Sequence, residues 1–96
     1  MHVISRRALR EFWAKHADAE RPLRRWYRVV KQAEWKSFAE VRATYQAADQ
    51  VDRFTMFNIG GNKYRLITVI HYDYPRIFVR DVLTHKEYDQ GDWKRG

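Results

Sequence analysis

The sequence predicts an α+β domain: a short first strand, two or three helices, a three-stranded antiparallel meander and a short closing helix. Three observations carry that reading. Apolar residues recur at helical spacing through the first half of the chain. From residue 51 onward the chain turns into long runs of β-branched and aromatic residues. Two turn sequences, Gly60-Gly61-Asn62 and Asp73-Tyr74-Pro75, break those runs and force the strands they join to lie antiparallel. Ninety-six residues fit a single domain over 1–96, with no internal repeat or linker to suggest a second core.

The elements follow in order. Residues 1–4 suit a first strand, and Ser5 is placed to cap a helix over 6–15 whose Ala8, Leu9, Phe12 and Trp13 share one face. His16 falls at its end, a surface position. In the second helix Pro22 suits the first turn. Leu23, Trp26, Tyr27, Val30 and Ala33 line one face there, and Arg21, Arg24, Arg25, Arg28 and Lys31 the other. Ser37 and Glu40 match a capping box opening a short helix to about residue 43, with Trp35 upstream as a packing anchor. Residues 46–50 read as a polar loop, and strands are expected over 51–59, 64–72 and 76–83. The middle of these is nearly continuously apolar and so central, with Arg65, Ile67, Val69 and His71 on one face. Thr84 and Glu87 form a second capping box, and the tail over 89–96 carries no strong pattern.

Composition narrows the function. An apolar fraction of 45% and an aromatic fraction of 16% oppose disorder despite the charge. With no cysteine there is no disulfide, thiolate metal site or thiol nucleophile. No apolar run approaches a membrane span and no secretory leader is visible, so a cytoplasmic setting is expected. The net charge is +7. A small domain so basic favours polyanions, nucleic acid before an acidic protein and either before a membrane. Five cations on one helix face read as a solvated outer face, and the repulsion they tolerate adds weight to the alternative of a contact surface.

The chemistry-bearing residues collect where the meander begins and ends. An antiparallel return brings the end of the last strand near the start of the one before it. Lys63, Arg65, His85 and Tyr88 are then expected at one sheet edge. The Gly60-Gly61 pair lacks the spacing of a phosphate loop, and neither a metal-ligand motif nor paired carboxylates occur, so no cofactor or metal is expected. Arginine, lysine, histidine and tyrosine are the groups that handle a phosphodiester. Arg65 can grip phosphate oxygens, Lys63 can add charge, and His85 is of the side-chain type whose ordinary pKa lies near neutrality, suited to acid or base work. Tyr88 can stack on a base or orient a proton donor. Each residue also has an ordinary use: Arg65 in an ion pair with Asp81 or Asp89, His85 on a capped turn, Tyr88 in packing, His71 as a structural histidine. The residues alone support a basic RNA-handling domain, with a non-catalytic RNA- or DNA-binding regulator as the alternative to a nuclease.

The runs FNIGGNKYRLITVIHY and VRDVLTHKEYD, with MHVISRRALREFW in front, resemble the HigB branch of the RelE-like toxins over nearly the whole chain. That resemblance implies a RelE-type fold and an endoribonuclease that cuts mRNA, typically on the ribosome. It also implies a HigA-type antitoxin partner, with operator DNA bound only through the toxin–antitoxin complex. It places Arg65 at the phosphate-contacting arginine, and His85 and Tyr88 at the terminal acid/base and stacking positions. Seven positions before Arg65, where RelE carries a catalytic lysine, stands Asn58, so Lys63 becomes the candidate replacement. Asn58, Arg21, Arg24, Arg28, Lys31 and Lys86 are expected to contact RNA or phosphate.

Overall fold

In the computed structural model, which describes residues 1–95, the first strand β1 (His2–Ile4) passes directly into helix α1 (Arg6–Lys15). Ser5 precedes that helix but does not cap it: its backbone is left-handed, with φ 74°, and its side chain bonds none of the first-turn amides. The chain reverses from strand to helix within one residue, and that reversal, not capping, sets the Ser5 backbone. A 3-10 turn (Ala17–Ala19) leads into α2 (Glu20–Gln32), where Pro22 sits in the first turn and its missing amide hydrogen costs nothing. Leu23, Trp26 and Val30 bury the inner face of α2, as their spacing predicts.

Helix α3 (Phe38–Thr44) forms where the Ser37–Glu40 sequence places it, but Ser37 does not cap it. Glu40 reaches one residue further back instead, accepting from the Lys36 amide at 3.3 Å. Trp35 is buried against Phe57 and Tyr45. The region expected as a loop followed by one strand is a hairpin of β2 (Asp49–Val51) and β3 (Phe54–Ile59). Asp52 makes the reversal with φ 53°, a left-handed position filled without glycine or asparagine, which hides the turn from pattern reading.

Strands β4 (Tyr64–His71) and β5 (Arg76–Thr84) complete one sheet in the order β1-β5-β4-β3-β2. All pairings are antiparallel except that of β1, which runs parallel to β5 at the edge. The helices α1 and α2 cover one face of the sheet, burying Leu9, Trp26 and Val30 against Phe57, Leu66 and Ile77. The other face carries a second, smaller cluster of Phe54, Met56, Ile67 and Leu83. Leu83 faces that way because β5 carries an extra residue. Ile67 pairs with Asp81 and Thr68 with Val79, leaving Arg80 as a bulge that reverses the alternation beyond it. The Asp81 carboxylate accepts the Val82 amide within this bulge, and burial holds it above its ordinary range.

The chain ends in α4 (His85–Gln90) and a 3-10 turn (Asp92–Arg95). The Thr84–Glu87 capping box forms in full, the Thr84 hydroxyl accepting the Glu87 amide and the Glu87 carboxylate accepting the Thr84 amide at 2.9 Å. The tail is not patternless packing: Trp93 covers the smaller cluster, and of the residues expected to fray only Gly96 lies outside the described region. Among the described residues, no helix is long and apolar enough to cross a membrane.

Candidate active site

The antiparallel return does what the sequence predicts. Tyr64 pairs with Thr84 and Arg65 with Leu83, so α4 begins beside the start of β4. Arg65, His85 and Tyr88 meet there, on the sheet face opposite α1 and α2. The Arg65 guanidinium lies 5.4 Å over the Tyr88 ring, and its Nη2 is 3.3 Å from His85 Nε2. Its Nη1 donates to the carbonyls of Asn62 and Tyr64 at 3.3 and 3.4 Å, which fixes the fork. Neither suggested carboxylate is free to pair with Arg65 in the ordinary way. Asp81 is taken by the bulge, and Asp89 Oδ2 lies 3.1 Å from His85 Nδ1.

Those two contacts fit one histidine tautomer. A guanidinium only donates, so His85 Nε2 must present its lone pair to Arg65. Nδ1 then carries the proton and donates it to Asp89. The imidazole is oriented by a carboxylate behind and aimed, Nε2 first, at the guanidinium in front.

Tyr88 is set from the other side by Trp93. Their rings stack at 5.1 Å with an interplanar angle of 11°, and the Trp93 indole donates to the Tyr88 carbonyl at 2.9 Å. Trp93 in turn meets the edge of Phe54 at 5.7 Å. Burial, reinforced by the charge of Asp49, pushes the Tyr88 hydroxyl above its ordinary pKa of 10.0, while Arg65 opposes the rise. Tyr88 therefore stays a protonated phenol at neutral pH, able to donate and unable to act as a base. Asn58 lies directly across from Arg65 in the β3–β4 ladder, and Lys86 follows His85 on the exposed first turn of α4.

The expectation that Lys63 joins this group is corrected. Its ammonium donates to Asp18, in the 3-10 turn between α1 and α2, and the Tyr64 hydroxyl donates to the other oxygen of that carboxylate at 2.6 Å. The Lys63 and Tyr64 hydrogen bonds hold the Asp18 carboxyl below its usual range, and the same carboxylate raises the Lys63 ammonium. The pairing draws Lys63 toward the helical layer and ties the β3–β4 turn to it. His16 also belongs here, stacked on Phe12 at 4.3 Å and edge-on to Tyr64.

The basic stripe of α2 is likewise placed elsewhere. Arg24 pairs with Glu20 at 2.8 Å and lies 4.8 Å over the Trp13 ring, on the helical layer, with the sheet between it and His85. Two residues of the site escaped sequence reading in that role. Asp89 was legible as the partner of His85 through their spacing of four on a predicted helix. Trp93 had no such signal, because its contact depends on the chain turning back after Gly91, which has φ 80°. Among the described residues, no group of three or more acidic or histidine side chains gathers that could hold a metal ion.

A fixed guanidinium beside an oriented imidazole and a half-buried phenol, on a basic domain, is a set of groups able to handle a phosphodiester. Residues 19–91 match the family model described as HigB toxin, a RelE-like toxic component of a toxin–antitoxin system, and the chain belongs to that family. It is similar to the mRNA interferase toxin HigB of Escherichia coli (strain K12), with 27% identity over 93% of this chain and 88% of the relative. The mRNA interferase HigB of Escherichia coli O6:H1 is 29% identical over 94% of this chain and 90% of its own length. A relative of the same name from Shigella flexneri matches at 27% identity.

Proposed function

We propose that this protein is the toxin of a type II toxin–antitoxin pair and an endoribonuclease that cuts mRNA on the ribosome without a metal, neutralised by a HigA-type antitoxin. The single observation that carries this reading is the Asp89–His85–Arg65 alignment, with Tyr88 alongside. In the reaction, His85 Nε2 takes the proton of the ribose 2′-hydroxyl as that oxygen bonds to phosphorus. Arg65 holds the non-bridging oxygens, where charge builds in the crowded phosphorane. The bond to the 5′-oxygen then breaks, and that oxygen leaves as a hydroxyl after taking a proton. The Tyr88 phenol is the nearest protonated donor to serve it, with the Arg65 guanidinium supporting its loss of that proton. Asp89 stabilises the imidazolium formed on His85. The products are a 2′,3′-cyclic phosphate and a 5′-hydroxyl end.

Asn58 and Lys86, which flank the cluster, contact the RNA backbone beside the scissile phosphate. Names of relatives that include "mRNA interferase" support the substrate class. The test is induced expression followed by primer-extension mapping of cellular mRNA. Cuts within translated regions, abolished by His85→Ala and by an inhibitor of translation initiation, are expected. Intact mRNA with normal growth would favour a non-catalytic binding module.

A further inference from the structure

The strongest charged feature of the molecule is not at the RNA-handling cluster. A groove of about 510 Å³ runs between α1 and α2 on the helical layer, and six guanidiniums line it: Arg6, Arg10, Arg21, Arg24, Arg25 and Arg28. No acidic residue lines it. Its floor is apolar and aromatic, made by Leu9, Trp13 and Tyr27. We propose that this groove is the docking site for an acidic amphipathic segment of the antitoxin. The proposal rests on the toxin–antitoxin reading and adds the surface and the chemistry of the contact.

Charge complementarity sets the partner's sign, and the geometry chooses protein over RNA. Single-stranded RNA binds such floors by stacking bases on open aromatic faces. Here guanidiniums already lie over the rings, Arg6 over Tyr27 at 4.2 Å and Arg24 over Trp13 at 4.8 Å. A guanidinium stacked on a ring presents its N–H edges in the plane, the geometry of a carboxylate grip, and Arg24 already holds the Glu20 carboxylate in this way at 2.8 Å. A concave floor between two helices suits the apolar ridge of a helix, with acids reaching the arginine rims. The groove lies on the far side of the sheet from His85, so an antitoxin seated in it by this segment alone leaves the catalytic face uncovered.

The test is titration calorimetry of wild type and Arg6→Glu/Arg10→Glu against the HigA-type antitoxin and, separately, a synthetic helical peptide of glutamate and leucine. Circular dichroism checks the fold, and Arg6→Gln/Arg10→Gln replaces the variant if charge reversal unfolds it. Affinity for both titrants falling about tenfold or more, with mRNA cleavage unchanged, supports the proposal. Unchanged affinity for the antitoxin overturns it, and so does lost cleavage with antitoxin binding intact, which would give the groove to RNA. If wild type binds the peptide and not the antitoxin, the groove's chemistry stands and the partner assignment falls; binding neither overturns both.

Discussion

The two faces of the sheet carry their positive charge in opposite ways. On the helix-covered side, six arginines crowd a groove with no acid lining it, and two of them are stacked on rings. At the candidate site on the other side, Arg65 is held by two carbonyls, a phenol ring and a histidine, and that histidine is backed by an aspartate. Abundant charge gives attraction and steering. A charge whose neighbours are held in place gives preorganisation, which accelerates a reaction. The net charge of +7 therefore points to partners, and the site is found from geometry.

Substitutions on each face sharpen this contrast. The largest effect is expected at the fixed arginine: Arg65→Ala lowers the single-turnover rate of mRNA cleavage by about 10²–10³-fold, the scale of losing one oxyanion donor. Arg65→Lys does not restore it, because an ammonium lacks the planar fork. His85→Ala costs a similar factor, and Asp89→Asn costs less while shifting the pH–rate profile, since the imidazolium loses its stabilising charge. An unshifted profile in Asp89→Asn would remove the aspartate from the mechanism.

Trp93→Ala comes next. It removes the ring behind Tyr88, and a fall of about 2 kcal/mol in stability is expected from denaturant unfolding. Cleavage drops about tenfold as Tyr88 and Arg65 lose their setting. Trp93→Phe restores most of both. Thr84→Ala opens the capping box and costs about 1 kcal/mol, fraying the helix that carries His85 and Tyr88.

The smallest effect belongs to the clasp between the faces, Asp18 with Lys63 and Tyr64. The folded state depresses the Asp18 carboxyl below its ordinary 3.8, so its contribution is present above that pH and lost as pH falls through the folded value. Lys63 is raised above 10.5, so its contribution is present below that pH and lost as pH rises through the folded value. Thermal melts should show Asp18→Asn slightly less stable than wild type between these limits, with the difference shrinking at acid pH. A constant difference down to pH 2 would mean the clasp acts without its charge.

Much of this was legible in the sequence, for local reasons. The glycine turn at 60–61 and the turn at 73–75 announce the meander, whose antiparallel return brings Arg65 to His85 and Tyr88. Thr84 and Glu87 announce α4, since a capping box is a contact between residues three apart. What stayed hidden depends on non-local packing. Ser37 carries the same signature as Thr84, yet the chain before α3 lets Glu40 satisfy the Lys36 amide instead. The Asp52 turn borrows a left-handed backbone that pairing in the sheet stabilises, and the Arg80 bulge leaves no trace in composition. Lys63 was misplaced because Asp18, 45 residues earlier, claims it.

One rate measurement separates cutting by the Arg65 cluster from binding by the arginine groove. Ribosome-bound mRNA is given to wild type, Arg65→Ala and Arg6→Glu/Arg10→Glu, and the single-turnover cleavage rate is compared. A loss of about 10²-fold or more is expected in Arg65→Ala and a change within about threefold in the groove variant. Cleavage that survives in Arg65→Ala, or that collapses equally in both, would contradict that division.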